Sequence, residues 1–192
     1  AGAENTSASA NFDGATDSND VNVNSTRTFT VKDIPELMTI IRSPDIAQQV
    51  TALRAFRRLL SVERDPPVQE CINCGVLSMF VAFLQPRSDD NHELQFEAAW
   101  ALTNIASTDR TDLIMECGAI PPLVNLLSSS NHDVREQSAW CLGNVAGDGS
   151  KLRDCALQAG AIAPLVANVS QPANISLLRN CTWSLSNFCR GK

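Results

Sequence analysis

The chain has 192 residues, 44% of them apolar and 5% aromatic, with no tyrosine and a net charge of −6 from 15 basic and 21 acidic side chains. That length can bury a substantial core in one or two domains, and neither a membrane-length apolar run of roughly 20 residues nor a secretory leader is visible, so a soluble protein of the cytoplasm and nucleus is expected. No basic stripe is present to displace counterions from phosphates, which excludes nucleic acid and anionic membrane as expected partners, and the acidic balance favours a cationic one.

Residues 1–30 are rich in Asn, Ser, Thr, Ala and Asp and show no apolar periodicity. Such a segment buries too little surface to offset its ordering entropy and is expected to be disordered. The chain changes character from "VKDIPELMTII" (31–41), and a repeat follows. "CGVLSMFVAFL" (74–84), "CGAIPPLVNLL" (117–127) and "AGAIAPLVANV" (159–169) each place a glycine before an apolar, helix-like run, with Gly75, Gly118 and Gly160 spaced by 43 and 42 residues. Polar breaks separate these runs from longer segments carrying Trp100, Trp140 and Trp183. Each unit therefore reads as a short helix, a glycine turn, a second helix, a polar loop and a longer third helix. Pro121 and Pro164 sit near the start of second helices, where the missing N–H is harmless, and Pro66 and Pro67 are placed to open a first helix.

Three helices in about 42 residues is the armadillo pattern, with HEAT repeats the nearest competitor. The expected fold is all-α, a right-handed superhelical armadillo solenoid of about four stacked repeats over 31–192: a partial first repeat at 33–64, then 65–108, 109–149 and 150–192. The sequence stops at "RGK" directly after a third helix, with no polar capping helix, so a longer parent protein is expected. Seven cysteines, an odd number, argue against a disulfide framework, and Cys117, Cys141, Cys155, Cys181 and Cys189 read as small hydrophobes of helices. "CINC" (Cys71, Cys74) lacks partners to complete a metal site, and no metal or other cofactor is expected. His92 and His132 fall in inter-helix loops with no nucleophile evident beside them, so no enzyme is expected.

Every tryptophan precedes an asparagine by four residues: Trp100–Asn104, Trp140–Asn144 and Trp183–Asn187. Residues at i, i+3 and i+7 share a helical stripe, so Glu97, Gln137 and Asn180 lie on the same faces one turn earlier. Stacked repeats would set these faces side by side as ladders. From Trp100, the residues Leu102, Ile105 and Ala106 lie on the far side of the helix and are the better core candidates. Two readings of the ladder stand: core, as tryptophan commonly is, or a binding surface. On a surface, each asparagine amide can hold both N–H and C=O of an extended peptide, and indoles on successive helices leave slots for Lys or Arg stems.

"WALTNIAS", "WCLGNVAGDGS" and "LRNCTWSLSNFCR", with "LLSVERDPP" and "GAIPPLV", resemble importin-α, the armadillo adaptors of nuclear import, over about residues 31–192. The resemblance implies a concave groove that binds the Lys/Arg-rich nuclear localisation signals of cargo proteins. By motif, Trp100, Trp140 and Trp183 would form its slots, and Asn104, Asn144 and Asn187 would hold the peptide backbone. Asp148 would pair with the signal's key lysine, with Gly147 beside it. Gln137 and Asn180 would be accessory polar contacts, and Thr111 would line the lysine pocket. Two features depart from the family pattern: the loop "ASTDRT" (106–111) is about two residues shorter, and "ALRAFRRLLS" (52–61) has Arg54 and Arg58 where Trp and Asn would align. The family's importin-β-binding segment is rich in Lys and Arg, whereas residues 1–30 hold one arginine and no lysine, so importin-β would bind only through a segment absent from this sequence. The alternative is an armadillo scaffold that binds another protein partner in signalling or adhesion; Asp148→Lys would abolish basic-peptide binding in the first case and barely matter in the second.

Overall fold

In a computed structural model, residues 27–86 and 92–190 are described. Of residues 1–30, expected to be disordered, 1–26 lie outside the described residues. Arg27, at the start of the described chain, pairs with Asp33 at 2.9 Å and Glu36 at 2.7 Å.

A single 3-10 turn, Val31–Asp33, leads into eleven helices, and no strand occurs among the described residues. They are α1 (Ile34–Ile41), α2 (Ile46–Leu60), α3 (Val68–Cys74), α4 (Val76–Phe83), α5 (His92–Ala106), α6 (Asp112–Glu116), α7 (Ile120–Leu126), α8 (His132–Asp148), α9 (Ser150–Gln158), α10 (Ile162–Ser170) and α11 (Ile175–Phe188). Their order repeats as short helix, second helix, long third helix from α3 onward, with α1 and α2 forming a two-helix start.

The glycine turns have a common geometry. Gly75, Gly118 and Gly160 adopt φ of +78°, +78° and +87°, the left-handed region that side chains resist, and each ends a first helix. The polar loops supply N-caps for the long helices. Asn131 Oδ1 accepts from the backbone N–H of Asp133 and Val134 at the start of α8, and Asn174 Oδ1 accepts from Leu177 N–H at the start of α11. Asp45 does the same for α2 through Ala47 N–H. Each such cap satisfies an otherwise orphaned donor and stabilises its helix by about 1 kcal/mol.

The long helices α2, α5, α8 and α11 pack side by side in that order, and α1, α4, α7 and α10 each pack on the long helix of their own unit. The core runs continuously between these layers. Phe56 of α2 and Phe80 of α4 meet edge to face at 5.8 Å, and both are fully buried. Leu102, Ile105 and Ala106 are buried, as their helical position required, and Leu142, Val145 and Ala146 repeat the arrangement in α8. In the last unit Leu157, Val166 and Ile175 remain exposed. Among the described residues no helix is long and apolar enough to cross a membrane, and no cluster of side chains fits a metal ion.

Candidate functional site

All three indoles are half-buried, on adjacent helices α5, α8 and α11. Neither sequence reading was complete, because Trp100 and Trp183 each pack against the preceding long helix while remaining only half-buried. Trp183 lies over Gly143 of α8: a Cβ placed there would come within 2.3 Å of the ring. Trp100 lies over Arg57 of α2, whose guanidinium carbon is 3.9 Å from the ring centroid. Arg57 and Gly143 occupy equivalent places, three residues after the tryptophan position of their own helices, as Thr103 does in α5.

The asparagines reach for the same residues. Asn104 Nδ2 donates to the Arg57 carbonyl at 3.0 Å, and Asn187 Nδ2 donates to the Gly143 carbonyl at 2.9 Å. In the middle rung Asn144 Nδ2 donates to Ser107 Oγ at 3.0 Å, and Ser107 Oγ donates in turn to the Thr103 carbonyl at 2.9 Å. The W-x-x-x-N spacing is therefore an inter-repeat clasp. In the first and last rungs the indole covers one residue of the preceding helix and the amide one turn later bonds that residue's carbonyl; in the middle rung the amide reaches the Thr103 carbonyl through a serine. One amide hydrogen of each asparagine is committed to this clasp, which leaves the second N–H and the oxygen on the half-buried Asn104 and Asn144.

Three expected surface residues are instead interior. Gln137 is 5% exposed and donates from Nε2 to Thr103 Oγ1 at 2.8 Å, tying α8 to α5. Thr111 is 2% exposed, and its hydroxyl lies 3.1 Å from the carbonyls of Ala106 and Thr108, closing the short loop after α5. Asn187 is 2% exposed, and its Oδ1 has no hydrogen-bond donor among the described residues. Gln137 and Asn187 share a cause: side chains on the stripe that faces the preceding long helix are covered when the repeats stack, and helical periodicity within one repeat does not register that neighbour, whereas Thr111 is covered by its own loop. Asn180 is half-buried and donates to Glu136 Oε1 at 3.1 Å.

Asp148 ends α8 and is exposed, with exposed Gly147 beside it. An anion is disfavoured at the C-terminal end of α8 and favoured before α9, so the two helix ends offer little net reason for a carboxylate there. Gly147 also adjoins Asn187: a Cβ at 147 would stand 3.1 Å from its Nδ2.

Two features were not legible from the repeat alone. Arg57 is 7% exposed and forms an ion pair with buried Glu97 at 2.7 Å, while Arg54 approaches the other oxygen of Glu97 at 3.1 Å and also pairs with Glu93. Aligning α2 with the later long helices draws attention to Arg54 and Arg58 and passes over Arg57, because only packing shows that the third residue past the tryptophan position lies beneath the next indole. Phe96, one turn before Trp100, meets it edge to face at 5.4 Å.

The histidines also differ from expectation. His92 and His132 each open a long helix rather than lying in a loop, and His92 Nε2 is 3.1 Å from Ser130 Oγ, while its Nδ1 faces Gln95 Oε1 at 3.2 Å. Repeat stacking brings this serine to the ring. The partner at Nδ1 is a neutral amide, which gives no carboxylate to orient and stabilise an imidazolium as in a nucleophilic triad. Burial pushes the thiols of Cys71 and Cys141 up to about 12 and that of Cys181 up to about 11, so they persist as neutral, inert core groups near pH 7.

The sequence pattern of the Armadillo/beta-catenin-like repeat matches residues 64–107, 107–147 and 149–190. The chain belongs to that family. It is also 52% identical over 161 residues to the rice (Oryza sativa subsp. japonica) importin subunit alpha-1b, covering 83% of this chain and 30% of that protein. It is 48% identical over 164 residues to importin subunit alpha-2 of Arabidopsis thaliana, covering 84% of this chain and 30% of that protein. Among solved structures, a designed armadillo repeat protein in complex with the peptide (KR)4 aligns with a TM-score of 0.72 and 29% identity, covering 81% of this chain and 64% of that one. The expected all-helical armadillo architecture and the resemblance to importin-α are both borne out. The armadillo chain spans about 30% of the length of these curated relatives.

Proposed function

We propose that this armadillo chain is the cargo-recognition part of a nuclear import adaptor, working in cytoplasm and nucleus, and that it binds Lys/Arg-rich nuclear localisation signals along α5, α8 and α11. The observation that carries the reading is the row of three half-buried indoles on adjacent helices, each with an asparagine amide one turn on. The designed relative that holds an alternating Lys/Arg peptide supports it, as does the similarity to importin-α subunits.

In this reading the clasp has two functions. Toward the protein it fixes each indole's tilt against the preceding helix, so the slots are formed before any ligand arrives, which lowers the ordering cost of binding. Toward the peptide, Trp100, Trp140 and Trp183 pack the stems of basic side chains. Asn104 and Asn144 present their remaining N–H and oxygen to the peptide backbone. Exposed Asp148, with Gly147 leaving room beside it, takes an ammonium group. Asn187 acts first as a structural tie, and its unpartnered oxygen would accept an N–H from peptide or water. Gln137 and Thr111 act behind this surface by holding α8 and the 106–111 loop in place, and Asn180 by engaging Glu136. Any engagement of importin-β belongs to a different segment from the described repeats.

The test uses the protein's own chromophores, since all three tryptophans lie in the site and the chain has no tyrosine. Titration with a peptide carrying four consecutive Lys/Arg residues is expected to give a saturable change in tryptophan emission. Replacing the key lysine by alanine, or Asp148 by lysine, is expected to weaken binding at least tenfold, roughly 1.4 kcal/mol. No emission change in folded protein would transfer the ladder to a purely structural role and favour an armadillo scaffold for another partner.

A further inference from the structure

Two histidines each join the start of a long helix to a polar side chain of the following repeat. His92 opens α5 and reaches Ser130, in the loop before α8; His132 opens α8 and reaches Asn174, the N-cap of α11. The two joints differ in chemistry. His132 Nδ1 is 2.9 Å from Asp133 Oδ1 and 3.3 Å from the Asn174 amide nitrogen, so a carboxylate already stands beside that ring. At His92 the carboxylate is replaced by an amide. Gln95 Nε2 donates to the Gln85 carbonyl at 3.3 Å, which turns Oε1 toward His92 Nδ1 at 3.2 Å. An amide oxygen only accepts, so Nδ1 carries the proton and Nε2 is left to face Ser130 Oγ at 3.1 Å. Neutral, that nitrogen accepts the hydroxyl proton; protonated, it is an N–H donor aimed at an exposed serine.

The surroundings favour an anion at this serine. The cleft beside the pair is formed by Leu84, Pro86, Pro122, Asn125 and Leu126, and among the described residues no carboxylate lines it. Arg135 places positive charge behind the hydroxyl: its Nη1 donates to the carbonyls of Ser129 and Ser130 at 2.7 and 3.4 Å. The acids that follow His92 and Ser130 in sequence, Glu93 and Asp133, are engaged by Arg54 and His132.

We propose that Ser130 is a phosphorylation site, and that its phosphate staples the third repeat to the second through His92. The donor is a nucleoside triphosphate held by a protein kinase. Ser130 Oγ attacks the γ-phosphorus, the bond to the β–γ bridging oxygen breaks, the diphosphate leaves, and the hydroxyl proton passes to the kinase's catalytic carboxylate. Asp133, three residues after the acceptor, suits a kinase that selects acidic residues downstream. The product carries roughly −2 charge and three acceptor oxygens on the side chain that already faces Nε2. Beside it the imidazole takes up its second proton, with Nδ1–H held by Gln95 and Nε2–H by the phosphate. At the second joint an amide stands in the serine's place and cannot be phosphorylated. The staple is independent of the peptide-groove reading.

The chain is incubated with ATP and a purified acidophilic protein kinase, and modified residues are mapped by mass spectrometry. Phosphate is expected at residue 130, is expected to be lost in Ser130→Ala, and is expected to form about fivefold more slowly in Asp133→Asn. Phosphorylated and unmodified chains are then compared by urea unfolding. Phosphorylation is expected to shift the folding equilibrium about fivefold toward the folded state. His92→Gln, which stays polar and cannot become a cation, is expected to remove most of that gain. A second readout needs no variant: by 31P NMR the phosphoserine of the folded chain is expected to titrate about half a pH unit below that of a phosphopeptide spanning 126–136. Absence of phosphate at residue 130 overturns the site. Equal gains in wild type and His92→Gln, or a phosphate that titrates as in the peptide, overturn the staple.

Discussion

At one structural position α2 carries an arginine and α8 a glycine, and in both cases an indole from the next helix settles on top. At Gly143 the fit is by subtraction: nothing beyond a hydrogen can be present, because Trp183 and Ser184 of α11 fill the place where a Cβ would stand. At Arg57 the fit is by addition: a planar cation fills the space and stacks on the ring, and its charge is balanced from behind by Glu97. The asparagine clasp is the same in both, since Asn104 and Asn187 bond the carbonyls of Arg57 and Gly143. The lesson is that this lateral joint is set by backbone geometry and tolerates opposite side-chain solutions, provided each is matched by its surroundings.

The sharpest way to break the comparison is to remove the match at the arginine. Glu97→Ala leaves Arg57 buried beside an unpaired partner set, and the expected loss is about 3–5 kcal/mol in urea unfolding. A loss below about 1 kcal/mol would mean that water reaches the pair. The counterpart on the glycine side is smaller. Gly143→Val overpacks the joint and is expected to cost about 1–3 kcal/mol, with a red-shifted Trp183 emission as the ring is pushed outward. An unshifted spectrum with unchanged stability would show that α11 moves freely away from α8. Smallest is the clasp itself in the rung where a serine mediates it. Asn144→Ala is expected to cost about 1 kcal/mol, near the net worth of one hydrogen bond, and Ser107→Ala a similar amount, with the double substitution costing little more than either alone.

The repeat period, the left-handed glycines, the capping asparagines and the apolar side of each long helix were all open to reading in the linear chain, because each depends on residues within one or two turns of each other. The spacing of Trp100–Asn104, Trp140–Asn144 and Trp183–Asn187 was equally visible, and so was its one-turn geometry. What these residues touch was not. Gln137 and Asn187 are covered, and the amides of Asn104 and Asn144 are half engaged, through contacts that bridge 34 to 47 residues of sequence. Arg57 acquired its role the same way, since nothing in "ALRAFRRLLS" distinguishes the arginine that meets an indole from its two neighbours.

Local interactions thus determined, from sequence alone, where helices begin and end and which stripe of each is apolar, since hydrogen-bonded turns and side-chain periodicity are short-range. Tertiary packing decided which polar side chains on the opposite stripe stay in solvent and which are used to join one repeat to the next. That choice depends on the lateral offset between neighbouring helices, a quantity that exists only once two repeats are in contact.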